Sequence, residues 1–234
     1  MKTRKYIYWL LALLCYLPAF TQSPVKIQRL EAGEKTCLHE GWFARKASEI
    51  GEDGNRLTGQ PFEATGWMKA KVPGTVLTTL LENKLYPAPE FGLNNQLIPD
   101  IFHVGRAFYT YWFACPFTME ALLPGQHAWL NFRGINYKAE IYLNGKRVNT
   151  VTHEGMFLRQ SYDITSYLKE NGTNVLAVLV FPPDHVGNPN GGQGGDGQIA
   201  RNCTMQYTPG WDWIQPVRDR NTGIWDEVSM AVTK

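Results

Sequence analysis

From residue 107 onward, apolar and polar side chains alternate with the period of two that a β-strand imposes. Residues 126–132 put Ala128, Leu130 and Phe132 on one face, and residues 137–143 do the same with Tyr137, Ala139, Ile141 and Leu143. Residues 173–181 align Val175, Ala177, Leu179 and Phe181. The stretch 107–117 carries aromatics on both parities, Tyr109, Tyr111 and Phe113 on one and Phe108 and Trp112 on the other. That predicts a strand at least partly buried on both faces. Asn144-Gly145 joins 137–143 to 146–152 and predicts a tight hairpin, because its turn needs positive φ. Residues 161–168 contain Asp163-Ile164-Thr165, a short turn or cap. Residues 223–232 supply a last strand with Ile224, Trp225, Val228 and Met230 as its apolar members.

The first half of the chain is less regular. Residues 38–45 read as an opening strand, and the glycine-rich polar stretch 51–59 as a surface loop. Residues 67–72 alternate weakly and stop at Pro73-Gly74. Val76, Leu77, Leu80 and Leu81 recur at helical spacing and predict a short helix over 75–85. Pro87, Pro89 and Pro99 make 87–100 a loop. Many short strands with varied turns and one or two short helices predict an all-β fold, a β-sandwich, with a closed barrel as the alternative. The βαβ rhythm of a doubly wound sheet is missing. Residues 191–197, G-G-Q-G-G-D-G, lack the Gly-Lys-Ser/Thr ending of a phosphate loop and read as a surface loop.

Residues 1–22 stand apart. Lys2, Arg4 and Lys5 precede an apolar run over 6–17, the pattern of a secretory signal peptide. The run is too short for a membrane span. A lipid anchor at Cys15 is the alternative, although Leu14 is not the small residue expected before it. A secreted or periplasmic domain over 23–234 follows from this reading. Lys2, Arg4 and Lys5 are three of the 23 basic residues, so the remainder carries 20 basic against 21 acidic side chains. Such a balance gives no basic face for nucleic acid. Of four cysteines, Cys37, Cys115 and Cys203 follow the leader. That odd number allows at most one disulfide, and their spacing matches no zinc site, so they read as packed structural thiols. The five histidines are dispersed, which leaves no metal or cofactor site to name.

Chemistry concentrates in residues 203–228. Trp211, Trp213 and Trp225 lie there among amides and charges, in a stretch broken by Pro209, Gly210, Pro216 and Gly223. Aromatic planes beside fixed polar groups suit sugar rings, which offer apolar C–H faces and hydroxyl edges. Asp212 is the first candidate ligand, because a carboxylate accepts from two adjacent hydroxyls; a purely structural carboxylate is its alternative. Trp211 and Trp213 are candidates for stacking on sugar or for anchoring the loop. Asn202 and Gln206 offer amides near the same rim. Trp225 reads as core. Arg201 and the Arg218-Asp219-Arg220 run either orient the loop, dock against another domain or are solvated. Asn171-Gly172-Thr173 and Asn202-Cys203-Thr204 match glycosylation acceptors.

Several motifs occur in a fixed order: V-P-G-T-V at 72–76, the aromatic strand at 109–117, F-R-G-I-N-Y-K-A-E-I-Y-L-N-G-K at 132–146, Y-D-I-T at 162–165, N-V-L-A-V at 174–178, G-W-D-W at 210–213 and G-I-W-D-E-V at 223–228. In this order the chain resembles the N-terminal sugar-binding jelly-roll domain, galactose-binding-domain-like, of glycoside hydrolase family 2. The G-W-D-W form is similar to the β-mannosidase and exo-β-glucosaminidase branch, and Asp226-Glu227 leans toward the latter. The resemblance implies a β-linked carbohydrate as ligand, with the Asp212 loop reaching an active-site mouth formed elsewhere. It also implies a downstream immunoglobulin-like domain and a catalytic (β/α)₈ barrel bearing two glutamates. The 234 residues contain no counterpart of either glutamate, so the chain alone is expected to be inactive. An exposed apolar patch is expected where the barrel packs, with self-association through it. An independent carbohydrate-binding module and a ligand-free adhesion or structural sandwich are the competing functions.

Overall fold

The computed structural model describes residues 23–189, 200–205 and 216–234. The leader at 1–22, the glycine-rich stretch 191–197, and Gln206, Trp211, Asp212 and Trp213 lie outside the described residues. Two sheets form a sandwich. The larger has eight strands, running in the order His153–Glu154, Lys138–Leu143, Thr173–Phe181, Tyr111–Met119, Phe43–Lys46, Met68–Lys69. Lys146–Arg147 adds to Lys138–Leu143, and Val25–Ile27 runs parallel to the end of Tyr111–Met119. The smaller sheet has four strands in the order Gln160–Asp163, His127–Phe132, Val228–Thr233, Lys35–Cys37.

Alternation decides what each face does. Phe113, Cys115, Phe117, Leu176, Val178 and Val180 of the large sheet join Leu130, Phe132, Val228 and Met230 of the small one in the main core. Each such large apolar side chain contributes roughly 1.5–3 kcal/mol by leaving water. The opposite parity, Trp112, Ala114, Ala177 and Leu179, forms a second cluster that Ala47, Leu57, Phe62 and Trp67 help to cover. The double burial expected of the aromatic strand is therefore met by the chain's own 47–67 segment. Pro116 within that strand has no N–H to give. It falls between the stretch paired with Phe43–Lys46, which ends at Ala114, and the stretch paired with Val25–Ile27, which begins at Phe117.

The structure revises several expectations. The opening strand is Phe43–Lys46, with Lys35–Cys37 a separate strand of the other sheet. Residues 51–59 are not all loop: Gly54–Gly59 is a helix, capped by Asp53, whose carboxylate accepts from the Arg56 N–H at 3.0 Å. Gly54 makes that helix possible, because a Cβ there would strike the Tyr142 ring. The expected helix after Pro73-Gly74 is Val76–Glu82, opened by a reciprocal Thr75/Thr78 capping box. The Asn144-Gly145 hairpin is present with both φ values positive, although its second strand stops at Arg147. Gly223–Ile224 leaves the small sheet to pair with Gly74–Thr75. Trp225 is half-buried rather than core; its indole N–H donates to the Met156 carbonyl at 2.9 Å. Cys37, Cys115 and Cys203 are free thiols, and Cys203 is exposed where a packed position was expected. Among the described residues no helix is long and apolar enough to cross a membrane.

Gly54→Ala should lower unfolding stability by about 1–3 kcal/mol, since Tyr142 must move to admit the methyl group. Urea titration of the two chains checks this, and an unchanged midpoint would refute the packing argument.

Candidate functional site

The described residues on either side of 206–215 are tied to the sandwich by different means. Before residue 206, the Asn202 side-chain carbonyl accepts from the His185 N–H at 2.9 Å, and the Met205 N–H meets the Met156 sulfur at 3.1 Å. Thr204 and Ala200 are buried. After residue 215, the Pro216 carbonyl accepts from the Asn95 amide at 3.3 Å, and the Arg218 carbonyl accepts from the Ile101 N–H at 3.0 Å. Asn202 therefore has a structural task, which leaves its amide N–H groups for any ligand. Arg201 is exposed.

The Arg218-Asp219-Arg220 run is not solvated. Arg220 is fully buried and faces Asp100, itself buried. Its Nη1 and Nη2 each donate to a different Asp100 oxygen at 2.9 Å, a two-pronged, charge-assisted pair. Nε donates to the Val186 carbonyl at 2.7 Å, Nη1 to Val217 at 2.9 Å and Nη2 to Gly187 at 3.0 Å. Every guanidinium N–H thus has a partner, which is the condition for a buried cation to be tolerated. Arg218 Nη1 adds a longer contact to Asp100 at 3.3 Å. Asp100 also caps the Ile101–Val104 helix through the Phe102 N–H. One carboxylate therefore joins the 94–104 region, the 186–187 backbone and the 216–220 return.

Asp219 completes the knot from the other side. A helix begins with N–H groups that have no partner within it. In Val76–Glu82 the first, Val76, donates to the Thr222 carbonyl at 2.7 Å, and the second, Leu77, to Asp219 Oδ2 at 2.7 Å. Thr78 is met by the Thr75 hydroxyl at 3.2 Å. Asn136, also fully buried, donates to the carbonyls of Arg220 and Asn221 at 2.7 and 2.9 Å. Arg220 and Asn221 both have positive φ, so the chain reverses there and leads into Gly223. Asp100, Asn136 and the buried roles of Asp219 and Arg220 were not anticipated. Pro99-Asp100 before an apolar pair was the one available sign, an N-cap signature. Among the described residues no His/Cys/Asp/Glu group is arranged to hold a metal.

Burial pushes the Asp219 carboxyl up to about 6, against the opposing pull of the Leu77 N–H, Thr75, the Asn221 N–H and Arg220. The folded chain then holds this proton more tightly than the unfolded chain. Asp219's contribution to stability is therefore greatest below about pH 4 and is lost as pH rises through about 6, an effect of about 3 kcal/mol. The stability difference between the wild-type chain and Asp219→Asn, measured by urea unfolding at fixed pH values, should fall between pH 4 and pH 7 by about that amount. The other carboxylates are common to both chains and cancel. A difference that grows with pH would contradict the assignment.

Comparison with known proteins agrees with this architecture. Residues 42–226 match the family described as glycosyl hydrolase 2 galactose-binding domain-like. The mannosylglycoprotein endo-beta-mannosidase of Lilium longiflorum is 52% identical over 201 residues, covering 84% of this chain and 21% of the lily protein. Among solved structures, the exo-chitosanase of Amycolatopsis orientalis superposes with a TM-score of 0.66 at 25% identity, over 86% of this chain and 21% of that one. A β-D-mannosidase from Dictyoglomus thermophilum gives 0.60 at 26% identity, over 84% and 22%. The chain spans about a fifth of the length of these relatives. It corresponds to their N-terminal sugar-binding domain and not to their catalytic barrel, and it belongs to the glycosyl hydrolase 2 galactose-binding domain-like family.

Proposed function

We propose that this domain serves, without catalytic groups of its own, a retaining β-glycosidase whose substrate is a β-mannoside of a glycoprotein glycan. The 52% identity to the lily endo-β-mannosidase carries the reading. It favours a mannoside over the glucosaminide toward which Asp226-Glu227 leaned, and an endo-acting enzyme over an exo-acting one. Exo-β-D-glucosaminidases, 23–29% identical, support the second reading, a glucosaminide-directed exo-enzyme. In either case Asp212 accepts hydrogen bonds from sugar hydroxyls, Trp211 and Trp213 divide stacking and anchoring between them, and Asn202 and Gln206 contribute amide donors. The Asp100–Arg220 knot fixes the return limb of that loop. The two carboxyls of a retaining mechanism, about 5 Å apart, belong to the barrel of the complete enzyme. The leader at 1–22 exports it.

Docking to that barrel accounts for an exposed apolar ridge. Phe91, Leu93 and Leu97 are 66%, 72% and 65% exposed. They adjoin a cleft of about 360 Å³ whose wall includes Val217, beside the knot. Exposing three large apolar side chains in seven residues is costly unless a partner covers them. In the isolated domain a second copy takes the barrel's place and the domain self-associates.

The test compares release of glycan from a mannosylated glycopeptide with hydrolysis of an aryl β-D-glucosaminide. The complete polypeptide bearing this domain should cleave the mannoside preferentially, and the 234-residue chain should cleave neither. Asp212→Ala in the complete polypeptide should reduce kcat/KM roughly 30- to 150-fold, the loss expected for charge-assisted hydrogen bonds of about 2–3 kcal/mol. Hydrolysis by the short chain, or an indifferent Asp212→Ala, would overturn the proposal.

A further inference from the structure

A second cleft lies over the outer face of the large sheet. It measures about 440 Å³ and is lined by Asp53, Arg56, Gln60, Phe62, Glu63 and Trp67, among others. Among the described residues it shares no lining residue with the 200–220 region. Its volume falls in the usual range for small-molecule sites, roughly 300–1,000 Å³.

The cleft is fixed on both sides. Asp53 and Arg56 belong to the capped Gly54–Gly59 helix, and Arg56 Nη2 donates to the Ile50 carbonyl at 3.0 Å. On the other side, the Trp67 N–H closes a turn onto the Ala64 carbonyl at 3.0 Å, and Trp67 leads directly into the edge strand Met68–Lys69. The Arg45 guanidinium packs under Gly66 in that turn. Phe62 stacks at a tilt on Phe43, at 5.1 Å between centroids, and on Trp67 at 5.3 Å. Aromatic surface therefore reaches from the sheet edge to solvent in an ordered series. The rings themselves need little immobilising when a ligand arrives.

The polar groups around these rings are unspent. Gln60 and Glu63 are exposed, and neither makes a hydrogen bond or ion pair among the described residues. The same holds for the indole N–H of half-buried Trp67. A carboxylate accepts, an amide both donates and accepts, and an indole N–H donates. Set beside aromatic faces, they match an oxygen-rich ring with apolar C–H faces. Phosphate fits poorly, because Asp53 and Glu63 repel it and Arg56 has already given one N–H to the backbone. A wholly apolar ligand would bury these polar groups without partners.

We propose that the Phe62–Trp67 cleft is a saccharide-binding site of this domain, separate from the Asp212 loop, and that it takes a single pyranose unit of a longer glycan. Only the choice of glycan probes rests on the function proposed above. The indole N–H resonance of Trp67, assigned by its loss in Trp67→Phe, reports occupancy when the chain is titrated with a linear β-mannan trisaccharide or a chitosan trisaccharide. A saturable shift is expected with one of them. The doubly substituted chain Gln60→Ala/Glu63→Ala, altered only at exposed positions, should weaken it about tenfold, the equivalent of about 1.4 kcal/mol. No shift with either trisaccharide would overturn the proposal, as would a shift the double substitution leaves intact. A shift abolished by Asp212→Ala would assign the sugar to the other loop and equally defeat this one. Failure here leaves the hydrolysis test untouched, because that test reads the complete enzyme's chemistry.

Discussion

The buried pair between Asp100 and Arg220 is the constraint on which the rest of this end of the sandwich depends. Two charges taken out of water are stabilising together only when every remaining donor and acceptor is met. Here the guanidinium spends its N–H groups on one carboxylate and three backbone carbonyls. Those carbonyls belong to Val186, Gly187 and Val217, which lie close in sequence to the two internal stretches outside the described residues. An apolar pair of similar volume would fill the space but would leave the carbonyls unsatisfied. What the ion pair supplies is one arrangement of three chain segments distant in sequence.

The sandwich makes such a knot necessary. Its large sheet is covered on one side by the small sheet and on the other by the 47–67 segment, so neither face remains free for a broad binding platform. On the large sheet, recognition is left to the loops at its ends and to clefts in the covering segment. Loops place functional groups well only when a rigid frame holds their ends. The Val76–Glu82 helix belongs to that frame, since Asp219 and the Thr222 carbonyl complete its first turn from the opposite end of the chain.

Much of the fold was legible in the sequence because a period of two is a local property. The aromatic strand announced its double burial, and Asn144-Gly145 marked the tight turn of its hairpin. The Gly54–Gly59 helix was missed because its glycines read as loop, although the Tyr142 ring requires Gly54. The role of the 218–220 run, read as orienting the loop, docking or solvated, stayed open for a different reason. Surface and buried arginines look alike in a sequence, and only the pairing with Asp100, more than a hundred residues away, distinguishes them. The motif order exposed the family.

The most direct measurement of the central claim is a double-mutant cycle on Asp100 and Arg220, using Asp100→Asn, Arg220→Met and the pair, each followed by urea unfolding. Breaking a buried pair from one side costs about 3–5 kcal/mol, so the single changes should each be severe and the double change far less than their sum. Additive effects of about 1 kcal/mol or less, the behaviour of an exposed ion pair, would contradict the account.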